Sequence, residues 1–174
     1  MITATPRTAP RSARTPLPAA LPVRTAKPRD AAALSALSRP FVRSGALRAR
    51  PFSRYLADAA DFLLVEATDG TLEGCLGLGV HPADPARGHG PAGVLYNFCV
   101  APRSQGRGIG AMLLRGALLR ANSLGLTSLF TATTGGGALF LRHGFAPADA
   151  GRAPADWANS LSPRRNSRIL ARAL

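Results

Sequence analysis

Residues 103–110 read RSQGRGIG, with glycine at 106, 108 and 110. The run follows an apolar segment, VLYNFCVAP at 94–102, and opens a leucine-rich one. A strand, a tight loop and a helix are what such a pattern can form. The three glycines remove side chains that would hold a ligand off the backbone. N–H groups of the loop and of the first helical turn then converge where the helix dipole favours an anion. Arg103 and Arg107 add positive charge. A pyrophosphate fits such a place; a tight turn without a ligand is the plainer alternative. The spacing G-x-G-x-G is not the dinucleotide fingerprint G-x-G-x-x-G, and no Gly-Lys-Ser/Thr follows to make a P-loop.

The chain has 174 residues, 46% of them hydrophobic, which suffices for one domain with its own core. No run of 18 apolar residues offers a membrane span. Cys75 and Cys99 lie in apolar segments and read as reduced core thiols, as in a cytoplasmic protein. His81, His89 and His143 are scattered, so no metal site is expected. The net charge of +13 raises nucleic acid as a partner, but its distribution argues against one. Residues 1–29 carry six basic and no acidic side chains, whereas residues 30–174 carry 16 basic and nine acidic. A polyanionic cofactor could account for that modest surplus.

Residues 1–20, rich in Pro, Thr, Ala and Arg, read as a disordered tail, leaving 21–174 as a single domain. The tail lacks acids as transit peptides do, but also lacks their amphipathic period. A short strand is expected in LPVRTAKPRD, then a helix AAALSALSRPF capped by Asp30 and interrupted by Pro40. A second helix covers 52–60. Strands at 61–67 and 71–80 flank a TDG hairpin turn. Residues 81–93 form a loop and 94–102 a third strand. The helix from Ile109 to Ser123 has leucines on more than one face, which suggests a sandwiched helix; Gly125 ends it. A strand at 126–134, a short helix ending at Gly144 and a terminal strand NSRILARAL complete a mixed α/β order.

With these elements in place, FCVAPRSQGRGIGAMLL resembles motif A of the Gcn5-related N-acetyltransferases, its core carried by Gln105, Gly108 and Gly110. LFTATTGGGALFLRHGFAPAD resembles motif B, ending at Gly144 and Phe145. The resemblance implies a central mixed, mostly antiparallel sheet that splays at an acetyl-CoA site and is flanked by helices. It implies that Gln105, Gly106, Arg107, Gly108, Ile109 and Gly110 hold the pyrophosphate. The main chain of Phe98, Cys99 and Val100 would bond the pantetheine arm.

A narrower resemblance covers most of 22–174. LSRPFVRSGALRARPFSRYLADAADFLLVEATDGTLEGCLGL and LSPRRNSRIL are similar to segments of the acetyltransferase domain of the N-acetylglutamate synthases. It implies acetylation of the α-amine of L-glutamate, the entry to arginine biosynthesis. Arg50 and Arg165 match arginines that grip the substrate; Asn97 and Ser167 match further contacts, with Arg48, Arg164 and Arg168 as neighbours. Two carboxylates each suit a fork of donors. The chain has no room for the amino-acid kinase domain of longer synthases, and a homo-oligomer is compatible with it. One departure concerns the base: where the family often has an acid, this chain has Val94. Tyr96, Cys99 and His89 lie nearby, and Thr133 or Thr134 stands where a hydroxyl could protonate a leaving thiolate. A related acetyltransferase acting on another small amine or amino-acid analogue is the alternative. So is a non-catalytic coenzyme A-binding module, and, more weakly, a nucleic-acid binder working through the arginine-rich tail.

Overall fold

A bulge in one strand organises the molecule. The computed structural model describes residues 22–174; the tail expected over 1–20 lies outside them. Seven strands form one sheet: β1 (Val23–Thr25), β2 (Phe62–Glu66), β3 (Leu72–His81), β4 (Ala92–Val100), β5 (Ser128–Thr133), β6 (Ala146–Pro147) and β7 (Arg168–Ala173). Their spatial order is β1-β2-β3-β4-β5-β7-β6. Every pairing is antiparallel except β4 with β5. The mixed α/β expectation and the mostly antiparallel sheet both hold.

Five helices accompany the sheet: α1 (Ala31–Arg43), α2 (Phe52–Ala57), α3 (Ile109–Ser123), α4 (Ala138–Arg142) and α5 (Ala155–Ser160). On one face, Leu113, Leu114 and Ala117 of α3 bury against Leu63, Val65, Leu76 and Leu78. On the other, Leu34 of α1 and Tyr55 of α2 bury against Phe62, Leu64, Cys75 and Cys99. A smaller cluster of Ala92, Val94, Phe130 and Ala153 continues on that side beneath Trp157. No helix among the described residues is long and apolar enough to cross a membrane.

Several expectations need correction. Pro40 lies inside α1, which runs on to Arg43. The proline gives up its own bond to the Ala36 carbonyl, but only three helical residues follow it. Asp30 does not cap α1 through its side chain. Its carboxylate instead accepts the Lys27 N–H at 2.7 Å and two bonds from Arg24 at 2.8 and 2.9 Å. Helix α3 buries one face only, since Leu119 is 70% exposed. The pair β6 and the helix α5, in an alanine- and proline-rich stretch without clear periodicity, were not expected. Strand β4 begins two residues earlier than its sequence suggests.

Candidate active site

Strand β4 pairs with β3 on one side as far as Val100, but with β5 on the other only from Ala92 to Leu95. The Thr131 hydroxyl donates to the Leu95 carbonyl at 3.3 Å, the last tie between the two strands. Beyond it, residues 96–100 present main-chain groups toward a widening gap. The cause lies at Asn97, whose φ of 48° is left-handed. Cys75 pairs with Cys99 and Gly77 with Tyr96, so Leu76 faces two residues of β4. This is a β-bulge, which bends a strand and interrupts its alternation. Tyr96 and Asn97 consequently both point to the α1–α2 side, while Phe98 points to the α3 side. Asn97 Nδ2 donates to Ser38 Oγ at 2.8 Å, and Tyr55 Oη donates to Asn97 Oδ1 at 3.4 Å. Phe98 meets Phe140 edge to face at 5.6 Å.

At the C-terminal end of β4 the glycine loop enters α3. Gly106 and Gly108 have φ of 75° and 84°, and a Cβ on either would meet nothing within 4 Å. Both turn their bare sides to open space, as close approach of a ligand requires. Gly110 differs: its Cβ would lie 3.1 Å from Leu139 and 3.4 Å from Phe98, so its smallness lets α3 seat on the core. The N–H groups of Ile109, Gly110 and Ala111 have no intrahelical acceptor. Buried Glu73 holds the loop from beneath, accepting from the Ser104 hydroxyl and from Arg103 at 3.2 Å. Arg103 is thus spent on the fold, and exposed Arg107 keeps its charge for the loop. Gln105 donates back to the Val100 carbonyl at 3.1 Å.

A cavity of about 870 Å³ opens on the α1–α2 side of the gap. Its lining includes Arg50, Tyr96, Asn97, Phe98, Thr133, Arg165 and Ser167, together with Arg48, Val94 and Thr134. Arg164 and Arg168 are exposed and lie outside the lining. His89 lines a smaller cavity, of about 500 Å³, at the other end of β4, which shares only His81 and Asp156 with the first. Cys99 is buried beneath, its Sγ 3.5 Å from that of Cys75. The hydrogen-bonded Cys99 sulfur, and then burial, hold the Cys75 thiol well above its ordinary pKa.

Within the cavity Arg50 donates to Asp58 at 2.8 Å and lies over the Tyr96 ring, 4.5 Å from its centroid. Tyr96 Oη donates to Asp61 Oδ2 at 2.9 Å. Its ring rests on the bare backbone of Gly77 and meets Phe62 edge to face at 5.4 Å. Desolvation, and then the Asp61 charge, push the Tyr96 phenol far up, so it stays protonated. Desolvation also raises Asp61 above the usual carboxylate range. Arg165 donates to the carbonyls of Gly45 and Ala46 at 2.8 and 3.0 Å, which leaves its other nitrogens free. Val94 is buried with Phe130 and Trp157, so that wall is apolar. Asp58 and Asp61 went unremarked in the sequence, although an acid directly preceding FLLVE is a visible signal. No cluster of metal-ligating side chains occurs among the described residues.

A splayed β4–β5 pair, a glycine loop at a helix N-terminus and a cavity across the gap have counterparts among known proteins. A model of the acetyltransferase (GNAT) family matches residues 31–145. The chain belongs to that family. An amino-acid acetyltransferase of Ralstonia nicotianae is 32% identical over 145 residues, 83% of this chain and 31% of that protein. One of Pseudomonas putida is 32% identical over 87% of this chain and 34% of that protein. The chain thus spans about a third of the length of these relatives. N-acetylglutamate synthase from Neisseria gonorrhoeae, solved with coenzyme A and N-acetyl-glutamate, superposes with a TM-score of 0.80 at 30% identity. That match covers 90% of this chain and 36% of that one. A Mycobacterium tuberculosis protein solved with CoA shares the fold at a TM-score of 0.70 and 22% identity, covering 87% of this chain and 98% of that one.

Proposed function

We propose that this protein transfers the acetyl group of acetyl-CoA to the α-amine of an amino acid, with L-glutamate the first choice. One observation carries the reading. Arg50 and Arg165, far apart in sequence, line one cavity beside the free edge of β4. The lining contains four arginines (48, 50, 54 and 165) against three aspartates (58, 61 and 156). That mixture suits a zwitterion carrying one extra carboxylate, whose two anionic ends each need a fork of donors.

Acetyl-CoA supplies the activated thioester when bound. The chain supplies the rest. Gly106, Gly108 and the first-turn N–H groups of α3 hold the pyrophosphate, and the main chain of Phe98, Cys99 and Val100 lines the pantetheine arm. The unpaired β4 groups beyond Leu95 are donors for the thioester oxygen as charge develops on it. The cavity holds the amine against the thioester, so that attack is effectively intramolecular.

Thiol release from acetyl-CoA, measured across single amino acids, tests this. Turnover with glutamate and little with aspartate or glutamine is expected. A second reading, another amino acid or an analogue as acceptor, is favoured by the prior engagement of both arginines and by the apolar wall at Val94. Turnover with a different member of the panel would select it.

A further inference from the structure

We propose that Asp61, acting through the Tyr96 hydroxyl, accepts the proton that the acceptor ammonium must lose before it attacks. The inference rests on the acetyl-transfer reading and names its missing base. An amino acid's amine is protonated at neutral pH and has no lone pair for the thioester until a base takes a proton. Three carboxylates line the cavity. Asp58 is already engaged in ion pairs, with Arg50 at 2.8 Å and with Arg54 at 3.7 Å. Asp156 is exposed, on α5. Asp61 is half-buried and, among the described residues, makes no salt bridge and accepts one side-chain hydrogen bond, from Tyr96 Oη. His81 also lines the cavity, but it pairs with Ala92. Four strand residues, about 13 Å, separate Ala92 from Tyr96.

Position favours Tyr96 as the conduit. It is the first residue of β4 beyond the last pair with β5, and the bulge at Asn97 leaves its side chain on the cavity face. Phenol and carboxylate already share a hydrogen bond, so a proton can enter at Oη as another leaves for Oδ2. The ammonium gives one proton to Tyr96 Oη while the phenol passes its own to Asp61. The freed nitrogen lone pair forms the C–N bond and the C–S bond breaks. The second nitrogen proton accompanies the departing sulfur, giving free thiol and amide. Asp61 returns its proton to water.

Tyr96 from β4 contacts Asp61, and the charges that act on it are Asp58 from the preceding turn, Arg120 from α3 and Arg50 from the loop before α2. Burial dominates among them and lifts Asp61, bringing it nearer the amine it serves.

Asp61→Asn keeps an oxygen for the Tyr96 hydroxyl and removes the base. With the best acceptor of the panel, kcat should fall roughly 100-fold or more. The acetyl-CoA KM should stay within about twofold, and the acid limb of the kcat/KM profile should vanish. Tyr96→Phe keeps the ring over Gly77 and should also lower kcat with the fold intact by thermal melting. Wild-type kcat and an unchanged acid limb in Asp61→Asn would overturn the proposal and leave acetyl transfer standing. So would an acid limb that persists there and disappears in His81→Ala. A wild type that turns over no amine would overturn both.

Discussion

Gly77→Ala should disturb the site through the Tyr96 ring, and the structure fixes the size of the effect. A Cβ at Gly77 would lie 2.6 Å from Cε2 and Cζ of that ring. Relief to ordinary contact needs a shift of about 1 Å. The ring cannot give way freely, being in contact with Phe62 and beneath the Arg50 guanidinium. A shift of that size takes the 2.9 Å Tyr96–Asp61 bond beyond hydrogen-bonding range. Overpacking of this kind costs roughly 1–3 kcal/mol. For a chain of this length that lowers Tm by roughly 3–10 °C. Gly79 supplies the control: its Cβ would sit 3.5 Å from the same ring, an ordinary contact. Gly79→Ala should therefore melt within about 1 °C of the wild type, as substitutions without a steric cause do. Calorimetric melts of the two variants, with kcat for each, make the test. Removing the ring by Tyr96→Ala should relieve most of the Gly77→Ala penalty in a double-mutant cycle. Equal melting of Gly77→Ala and Gly79→Ala, or a penalty undiminished without the ring, would refute the reasoning.

Gly108→Glu should abolish acetyl-CoA binding by titration calorimetry, because a side chain at φ 84° is strained and its charge enters the anion site; unchanged affinity would remove the loop assignment. Arg165→Ala should raise the acceptor KM far more than the acetyl-CoA KM, and equal increases would indicate a folding defect instead. The ion cluster of Arg24, Asp30 and Glu66 should give an acid-labile contribution to stability. Arg24 hydrogen bonds, foremost, lower Asp30 from 3.8 to about 2. Its contribution is therefore complete above the unfolded value and is lost as pH falls from 3.8 to about 2. Arg24→Ala should remove that slope and lower neutral-pH stability by roughly 1–3 kcal/mol, read from melts between pH 2 and 7.

The strands and α3 were legible because their signals are local: apolar runs, an Asp-Gly turn, a capping glycine. Ile109–Ser123 was expected at its observed bounds. Helix α5 and strand β6 were not, because tertiary pairing with β7 and burial of Ala153, rather than periodicity, hold that region. The glycine loop could be read from composition, but not the division of labour inside it. Gly106 and Gly108 face space, while Gly110 serves packing, a distinction that depends on where Leu139 and Phe98 lie. Arg50 and Arg165 were legible as candidates, yet their existing partners were not, since Asp58 and the Gly45 carbonyl meet them only in the fold. The proposed base has the weakest local signal. A search along β4 for an acid cannot find a carboxylate delivered from the start of β2.

The bulge at Asn97 accounts for that delivery. Regular alternation would place Tyr96 and Phe98 on one face of β4 and Asn97 on the other. The extra residue puts Tyr96 and Asn97 on the α1–α2 face and returns Phe98 to the α3 face. Asn97 then spends its amide on Ser38, which fixes the bend. Tyr96 spans β3 above Gly77 and reaches Asp61, while Phe98 lies against Gly110 of α3 and meets Phe140 of α4 edge to face. In the proposed acetyl transfer, one strand would serve the nucleotide on its α3 face and the acceptor on the other, with the unpaired edge between them. The proposed proton route leaves β4 at Tyr96, its next cavity-facing residue after Val94, and so needs no acid at position 94.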